Sequence, residues 1–247
     1  MKLRQIPQHA LWSSKVRTEL KGTTMPVLEI FLERGEEIIS AHGELSWMTP
    51  TMAMQTKSGL GGGAKGLLSG LKRVMGGGSL FVTHYMASTG PGMVAFASKV
   101  PGHIREVHIT PGNGYMVHRH GWLAGTPGIT PTIGFQQSFR AGLFGGDGFI
   151  LQRLDGEGTA WIELSGETIE YDLQAGETIL VHPGHVGLFQ ETISFNITQI
   201  QGLSNVFFGG DGYHLVALTG PGKLYLQSMP LPLLAHSIYP YLPQQGN

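Results

Sequence analysis

The sequence predicts an all-β protein assembled from three tandem copies of one strand-rich unit, packed about an approximate threefold axis. Three observations predict it. Glycine supplies 38 of 247 residues and recurs in blocks; the blocks repeat at one displacement; and the apolar residues between them alternate with a period of two.

The displacement is read most directly from Phe144-Gly145-Gly146-Asp147-Gly148-Phe149-Ile150-Leu151, which returns as Phe208-Gly209-Gly210-Asp211-Gly212-Tyr213-His214-Leu215, 64 residues on. Upstream, Leu173-Gln174-Ala175-Gly176 follows Ile109-Thr110-Pro111-Gly112, and from 112 to 176 is again 64. Downstream, Asp155-Gly156-Glu157-Gly158 corresponds to Thr219-Gly220-Pro221-Gly222 at the same displacement. A looser first copy opens at Leu32-Glu33-Arg34-Gly35, passes Gly76-Gly77-Gly78-Ser79 and closes at Thr89-Gly90-Pro91-Gly92. Gly35 precedes Gly112 by 77, an excess of 13 over the period that falls in the glycine-rich stretch.

These landmarks divide one compact domain. An N-terminal extension covers 1–22 and β unit one covers 23–101, with a Gly-rich insertion at 58–79. Unit two covers 102–165, unit three 166–230, and a tail runs over 231–247. Runs such as Gly158-Thr159-Ala160-Trp161-Ile162-Glu163-Leu164 and Gly222-Lys223-Leu224-Tyr225-Leu226-Gln227 are strands with one face buried. Gly145, Gly146, Asp147 and Gly148, and their copies Gly209, Gly210, Asp211 and Gly212, are structural turns: glycine admits positive φ, and each aspartate caps nearby backbone amides. Helical spacing is confined to Ala64–Met75 and to Leu233–Tyr239, which has room for one or two turns.

Composition narrows the function classes. Charged residues make up 13% of the chain, about half the usual share, so much of the surface is neutral and suited to burial in a homo-oligomer. Sixteen Lys and Arg against seventeen Asp and Glu leave no general field for polyanions. With no cysteine, thiolate nucleophiles, disulfides and cysteine-ligated zinc are excluded. The N-terminus lacks the apolar block of a secretion signal, and no run reaches the roughly eighteen apolar residues of a spanning helix. A soluble, cytoplasmic protein is expected.

Several blocks together resemble a known family. Met25-Pro26-Val27-Leu28-Glu29, Trp47-Met48-Thr49-Pro50, the Gly-rich insertion, Pro101-Gly102, Ala141 to Gly148, Pro183-Gly184-His185 and the ending Pro240-Tyr241-Leu242-Pro243 resemble the uncharacterised "altered inheritance of mitochondria" family. Its bacterial members are related in fold to the tryptophan RNA-binding attenuation protein. The resemblance runs from about Val16 to Pro243. It implies double-stranded β-helix-like or sandwich units with pseudo-threefold symmetry, homo-oligomers, and a scaffold role linked to organisation of a membrane and its complexes. It implies no catalytic residue.

Four histidines are the candidate metal ligands. Gly112 with His118-Arg119-His120 fits the Gly-x5-His-x-His opening of cupin metal sites, where alternation would point both imidazoles to one face of a strand. The continuation fails, because Ala124 and Gly125 stand where cupins place a glutamate. His182 and His185 offer further ligands from the next unit. Gly61-Gly62-Gly63-Ala64-Lys65-Gly66 has the glycine spacing of a nucleotide loop but neither a βαβ context nor the P-loop ending. Ser165 and Ser204 lie outside any nucleophile elbow, and Glu36-Glu37 are solvated charges at a turn. An RNA-binding ring would need basic residues interleaved with aromatics; Arg17, Lys21, Lys65, Lys72, Arg73, Arg105, Arg119 and Arg140 are dispersed in sequence. Trp12, Trp47, Trp122 and Trp161 are packing anchors, with Trp47 and Trp122 at similar places in the first two units. The leading expectation is a non-enzymatic oligomeric scaffold or interaction module at a protein or membrane surface, with no cofactor. The alternatives are an RNA or small-ligand binder and a metal-dependent cupin-like enzyme.

Overall fold

The computed structural model describes residues 16–57, 82–137, 148–200 and 213–243. The Gly-rich insertion with its helical stretch, the blocks Gly145, Gly146, Asp147 and Gly209, Gly210, Asp211, Gly212, and Trp12 lie outside these residues.

The chain is almost entirely antiparallel β, as the alternation predicts. β1 (Arg17–Lys21) comes first, followed by three successions of six strands. The first holds β2 (Val27–Leu32), β3 (Glu37–Ala41), β4 (Trp47–Met48), β5 (Met52–Lys57), β6 (Val82–Ala87) and β7 (Gly92–Ala97). The second holds β8 (Gly102–Ile109), β9 (Tyr115–His118), β10 (Trp122–Gly125), β11 (Ile129–Gln137), β12 (Phe149–Gly156) and β13 (Gly158–Ser165). The third holds β14 (Thr168–Leu173), β15 (Thr178–Val181), β16 (Val186–Gln190), β17 (Ser194–Ile200), β18 (Tyr213–Thr219) and β19 (Gly222–Gln227). A short helix α1 (Leu231–Ile238) follows, entered through Pro230 with Pro232 in its first turn, where a missing N–H costs nothing.

Pairing repeats with the strands. In every succession the first and third strands flank the sixth, and the second and fourth flank the fifth. Two further pairings carry hydrogen bonds from unit to unit: β3 with β10, and β9 with β16. Two six-stranded sheets therefore each belong half to one unit and half to the next, with a four-stranded sheet (β1-β2-β7-β4) at one end and a three-stranded sheet (β15-β18-β17) at the other. Among the described residues no strand pairing joins the third unit back to the first.

Local chemistry explains why the same turns recur. Between the first and second strands of the three units Gly35, Gly112 and Gly176 have φ of 90°, 79° and 81°, the left-handed region that glycine enters without a Cβ penalty. At two of these turns a glutamate closes the loop: Glu33 N donates to Glu36 Oε2 and Gln174 N to Glu177 Oε2, both at 2.8 Å. At the end of the third strand or just beyond it, a side-chain oxygen accepts the N–H of the second residue of the sixth. Thr49 accepts from Met93 at 3.0 Å, Thr126 from Thr159 at 3.1 Å and Gln190 from Lys223 at 2.8 Å.

That contact fixes the register of the units and corrects one expectation. Trp47 lies two residues before Thr49, as Ala124 does before Thr126 and Leu188 before Gln190. The strand partners agree, with Trp47 opposite Ala95, Ala124 opposite Trp161 and Leu188 opposite Tyr225. Trp47 therefore matches Ala124 and not Trp122, whose own counterpart is Val186. Trp122 and Trp161 are buried core residues, whereas Trp47 is 45% exposed.

Apolar faces close into three core clusters that ignore the unit boundaries. The first joins Leu28, Ile30 and Phe96 to Leu123 and Trp161 of unit two. The second holds Ile39, Trp122, Ile162 and Leu188, one or more from each unit. The third joins Met116 and Leu151 to Phe189 and Val216. Within the N-terminal stretch, β1 adds an outer strand to β2, with Arg17 stacked 3.7 Å over the ring of Phe31 and Lys21 Nζ 2.6 Å from Glu29. No described helix is long and apolar enough to cross a membrane.

Candidate functional site

The sixth strand of a unit ends beside the next unit, and a buried polar side chain joins them. Lys99 N, just beyond β7, donates to Glu163 Oε1 of β13 at 2.7 Å, and Ser165 N, at the end of β13, donates to Gln227 Oε1 of β19 at 3.0 Å. Glu163 and Gln227 are one period apart and 3% and 4% exposed. Hydrogen bonding offsets the cost of placing such groups inside, since a buried unpaired donor or acceptor costs about 1–3 kcal/mol.

The predicted histidines gather at the second of these joints, and backbone partners settle the tautomers of His118, His182 and His185. A carbonyl oxygen only accepts, so His118 Nε2 donates to Glu163 O at 2.8 Å and His185 Nδ1 donates to Gln227 O at 2.8 Å. The two carbonyls are again one period apart. His182 works in the opposite sense: its Nδ1 accepts from Gly184 N at 3.3 Å and caps the 3-10 turn Pro183–His185. Gln227 Nε2 donates to Gly184 O at 3.1 Å and ties that turn to β19. The rings of His182 and His185 meet edge to face at 5.8 Å.

A pocket of about 90 Å³ opens here, lined by His118, Arg119 and His120, by Ser165 and Gln227, by the Pro183-Gly184 turn, and by Leu231 and Pro232 of α1. Ligand clefts of enzymes usually run from roughly 300 Å³ upward, so this one admits a few waters or a small ion. Burial pushes the His118 imidazole down to about 4 and lowers His182, with the neighbouring His185 adding to the effect; burial also raises the Glu163 carboxyl. Both His118 and His182 are held neutral near pH 7.

The structure places the four candidate ligands at this joint without the shared strand face that their spacing predicts. β9 stops at His118, so His120 lies on the following turn and the two imidazoles do not share a strand face. Three of the four rings spend a nitrogen on backbone groups. Among the described residues no three His, Asp or Glu side chains converge as a metal site requires. The joint brings together His118, His120 and the His182-to-His185 turn, and adds Ser165, set aside above as a nucleophile, with Glu163 and Gln227, which sequence reasoning did not single out. The signal for them was present, since the 64-residue displacement aligns Glu163 with Gln227.

Of the turn glycines, Gly148 lies on the pocket wall at φ 75°. Glu36 closes its own turn through Glu33 N, and Glu37 on β3 pairs with His84 of β6.

Three similarities bear on identity. A solved crystal structure of a Streptococcus pyogenes protein superposes with a TM-score of 0.71, covering 92% of this chain and all of that one, at 24% identity, which establishes likeness of fold. An uncharacterized protein of Streptococcus pyogenes serotype M6 is 28% identical over 230 residues, 92% of this chain and 91% of its own length. The family model described as Mitochondrial biogenesis AIM24 matches residues 18–229. With that match spanning all three units from β1 to the end of β19, the chain belongs to the Mitochondrial biogenesis AIM24 family.

Proposed function

We propose that this protein is a non-enzymatic β scaffold that works as a homo-oligomer, presenting apolar surface to itself and to a partner. One contrast carries the reading. His118, His182, His185 and Gln227 at the pocket are committed to backbone groups, while large apolar side chains stand in solvent: Leu20, Met54 and Leu180 are each more than half exposed, and Tyr241 is 87% exposed. Exposed apolar patches mark surfaces that meet other molecules. Light scattering of the purified chain from about 1 to 100 μM, a range in which oligomers of ordinary interface size assemble, is expected to give multiples of 26.6 kDa. A mass fixed at one chain throughout would overturn the proposal.

A second observation favours a membrane surface as one partner. From Leu231 to Pro243 the chain carries no Asp, Glu, Lys or Arg, and Ile238, Tyr239, Tyr241 and Leu242 are exposed there. Tyrosine and aliphatic side chains without charge suit the interfacial layer of a bilayer. Co-flotation with neutral phospholipid vesicles, reduced several-fold by Tyr239→Ser with Tyr241→Ser, is the expected result. A salt-sensitive RNA shift, or stoichiometric metal in the purified protein, would favour the RNA-binding or cupin-like reading instead.

A further inference from the structure

The joints between units have a fixed rule, and the two ends of the chain hold its unused halves. At each joint the second strand of one unit pairs with the third strand of the next. Ile39 stands opposite Gly125 and Ser40 opposite Ala124 at the first joint; Met116 stands opposite Phe189 and Val117 opposite Leu188 at the second. Among the described residues, unit three has its own second strand, β15, bonded on one side only, to β18. Among the described residues, unit one has its own third strand, β4, bonded on one side only, to β7.

Burial marks the same two strands. Leu180 of β15 occupies the place of Ile39 and Met116, four residues beyond the turn glycine in each unit. Those two are 3% and 7% exposed, whereas Leu180 is 53% exposed. Trp47 of β4 occupies the place of Ala124 and Leu188, both fully buried, and is itself 45% exposed. Edge strands are ordinarily protected by charge or proline. β1, β8 and β14 follow that rule, with Arg17, Glu19 and Lys21, with Arg105 and Glu106, and with Glu170 and Asp172; β15 (Thr-Ile-Leu-Val), β4 (Trp-Met) and β17 carry neither, and of these three β15 and β4 are the ones whose counterparts in other units are paired at a joint.

We propose that β15 of one copy pairs antiparallel with β4 of a second copy, repeating the internal joint between chains, with Leu180 opposite Met48 and Val181 opposite Trp47. The proposal rests on the oligomeric reading above and names its interface. Because the two halves differ, the contact is head to tail, and each copy can engage two others.

The chain has no cysteine, so introduced thiols report the contact. Directly opposed residues of antiparallel strands have Cα atoms about 4.5–5.5 Å apart, within disulfide reach. Mixed Leu180→Cys and Met48→Cys chains are expected to form a disulfide-linked dimer at least about tenfold more abundant than either variant alone. Leu180→Glu, at an exposed position, is expected to shift the native oligomer toward single chains without changing its circular dichroism. A double variant that links within one chain while the mixture stays unlinked would overturn the proposal, since the third unit would then close on the first. An oligomer by light scattering that yields no link in either format would overturn this interface and leave the scaffold reading standing; a single-chain mass would end both.

Discussion

Glu163 and Gln227 do the same work with different chemistry, and the difference is testable. Both accept a backbone N–H at a joint, yet Glu163 does so as a buried carboxyl whose ionisation burial opposes. Glu163→Gln keeps the oxygen that accepts from Lys99 N and removes the cost of the charge, so thermal unfolding at pH 7 is expected to move up by about 2–4 °C, roughly 1 kcal/mol. Glu163→Leu, which strands the Lys99 N–H, is expected to move it down. The His118 ring predicts a pH dependence of definite sign. Its folded value of about 4 lies below the ordinary 6.5, so between these values the unfolded chain binds more protons and stability falls as pH drops. The loss amounts to at most about 3 kcal/mol and is complete below about pH 4. Glu163 acts oppositely, lowering stability as pH rises above its ordinary value of 4.5. Denaturant unfolding from pH 8 to 4 is therefore expected to show the fall below 6.5 in the parent and a shallower one in His118→Gln. The histidines were legible in the sequence as a cluster but not as strand-end donors, because spacing along a strand says nothing of which backbone carbonyl faces the ring.

At the scale of the element, glycines in similar turns differ in what they tolerate. Gly158 and Gly222 begin β13 and β19 with φ of 146° and 145°, and a Cβ there would lie 2.0 Å from Thr126 Oγ1 and 2.5 Å from Thr192 Oγ1. Gly35 has φ 90° but open space around it. Gly158→Ala and Gly222→Ala are thus expected to cost several kcal/mol each, combining strain and clash, and Gly35→Ala about 1 kcal/mol; urea midpoints of the three variants check the order. The strands were legible because two-residue alternation and glycine turns both act locally. β1 was not, since Arg-Thr-Glu-Leu-Lys offers a single aliphatic residue and is held by backbone bonds to β2. Trp47 was misplaced because the first unit departs from the period. The Thr49-Pro50 and Thr126-Pro127 pairs would have set it at the place of Ala124.

For the whole molecule, sheets shared across both joints bind the units into one cooperative body. Cores that mix residues of neighbouring units leave none of them a complete interior of its own. A single calorimetric transition, with calorimetric and van't Hoff enthalpies equal, is expected for dilute protein; separate melting of three units would contradict the shared sheets. The repeat itself was legible because turns demand glycine at fixed places. The strand pairings at the joints were not, because they are made by main-chain atoms that every residue possesses.

The rule that second strand meets third strand of the next unit also sets what copying can do to such a gene product. Excising residues 102–165 would remove one whole period and bring β3 to face β16, with the closing glutamine of unit three arriving where Glu163 now receives Lys99. Chain length in this architecture is thus a countable quantity, altered in steps of one period, and a founder with a single period would already have possessed both ends of every later seam.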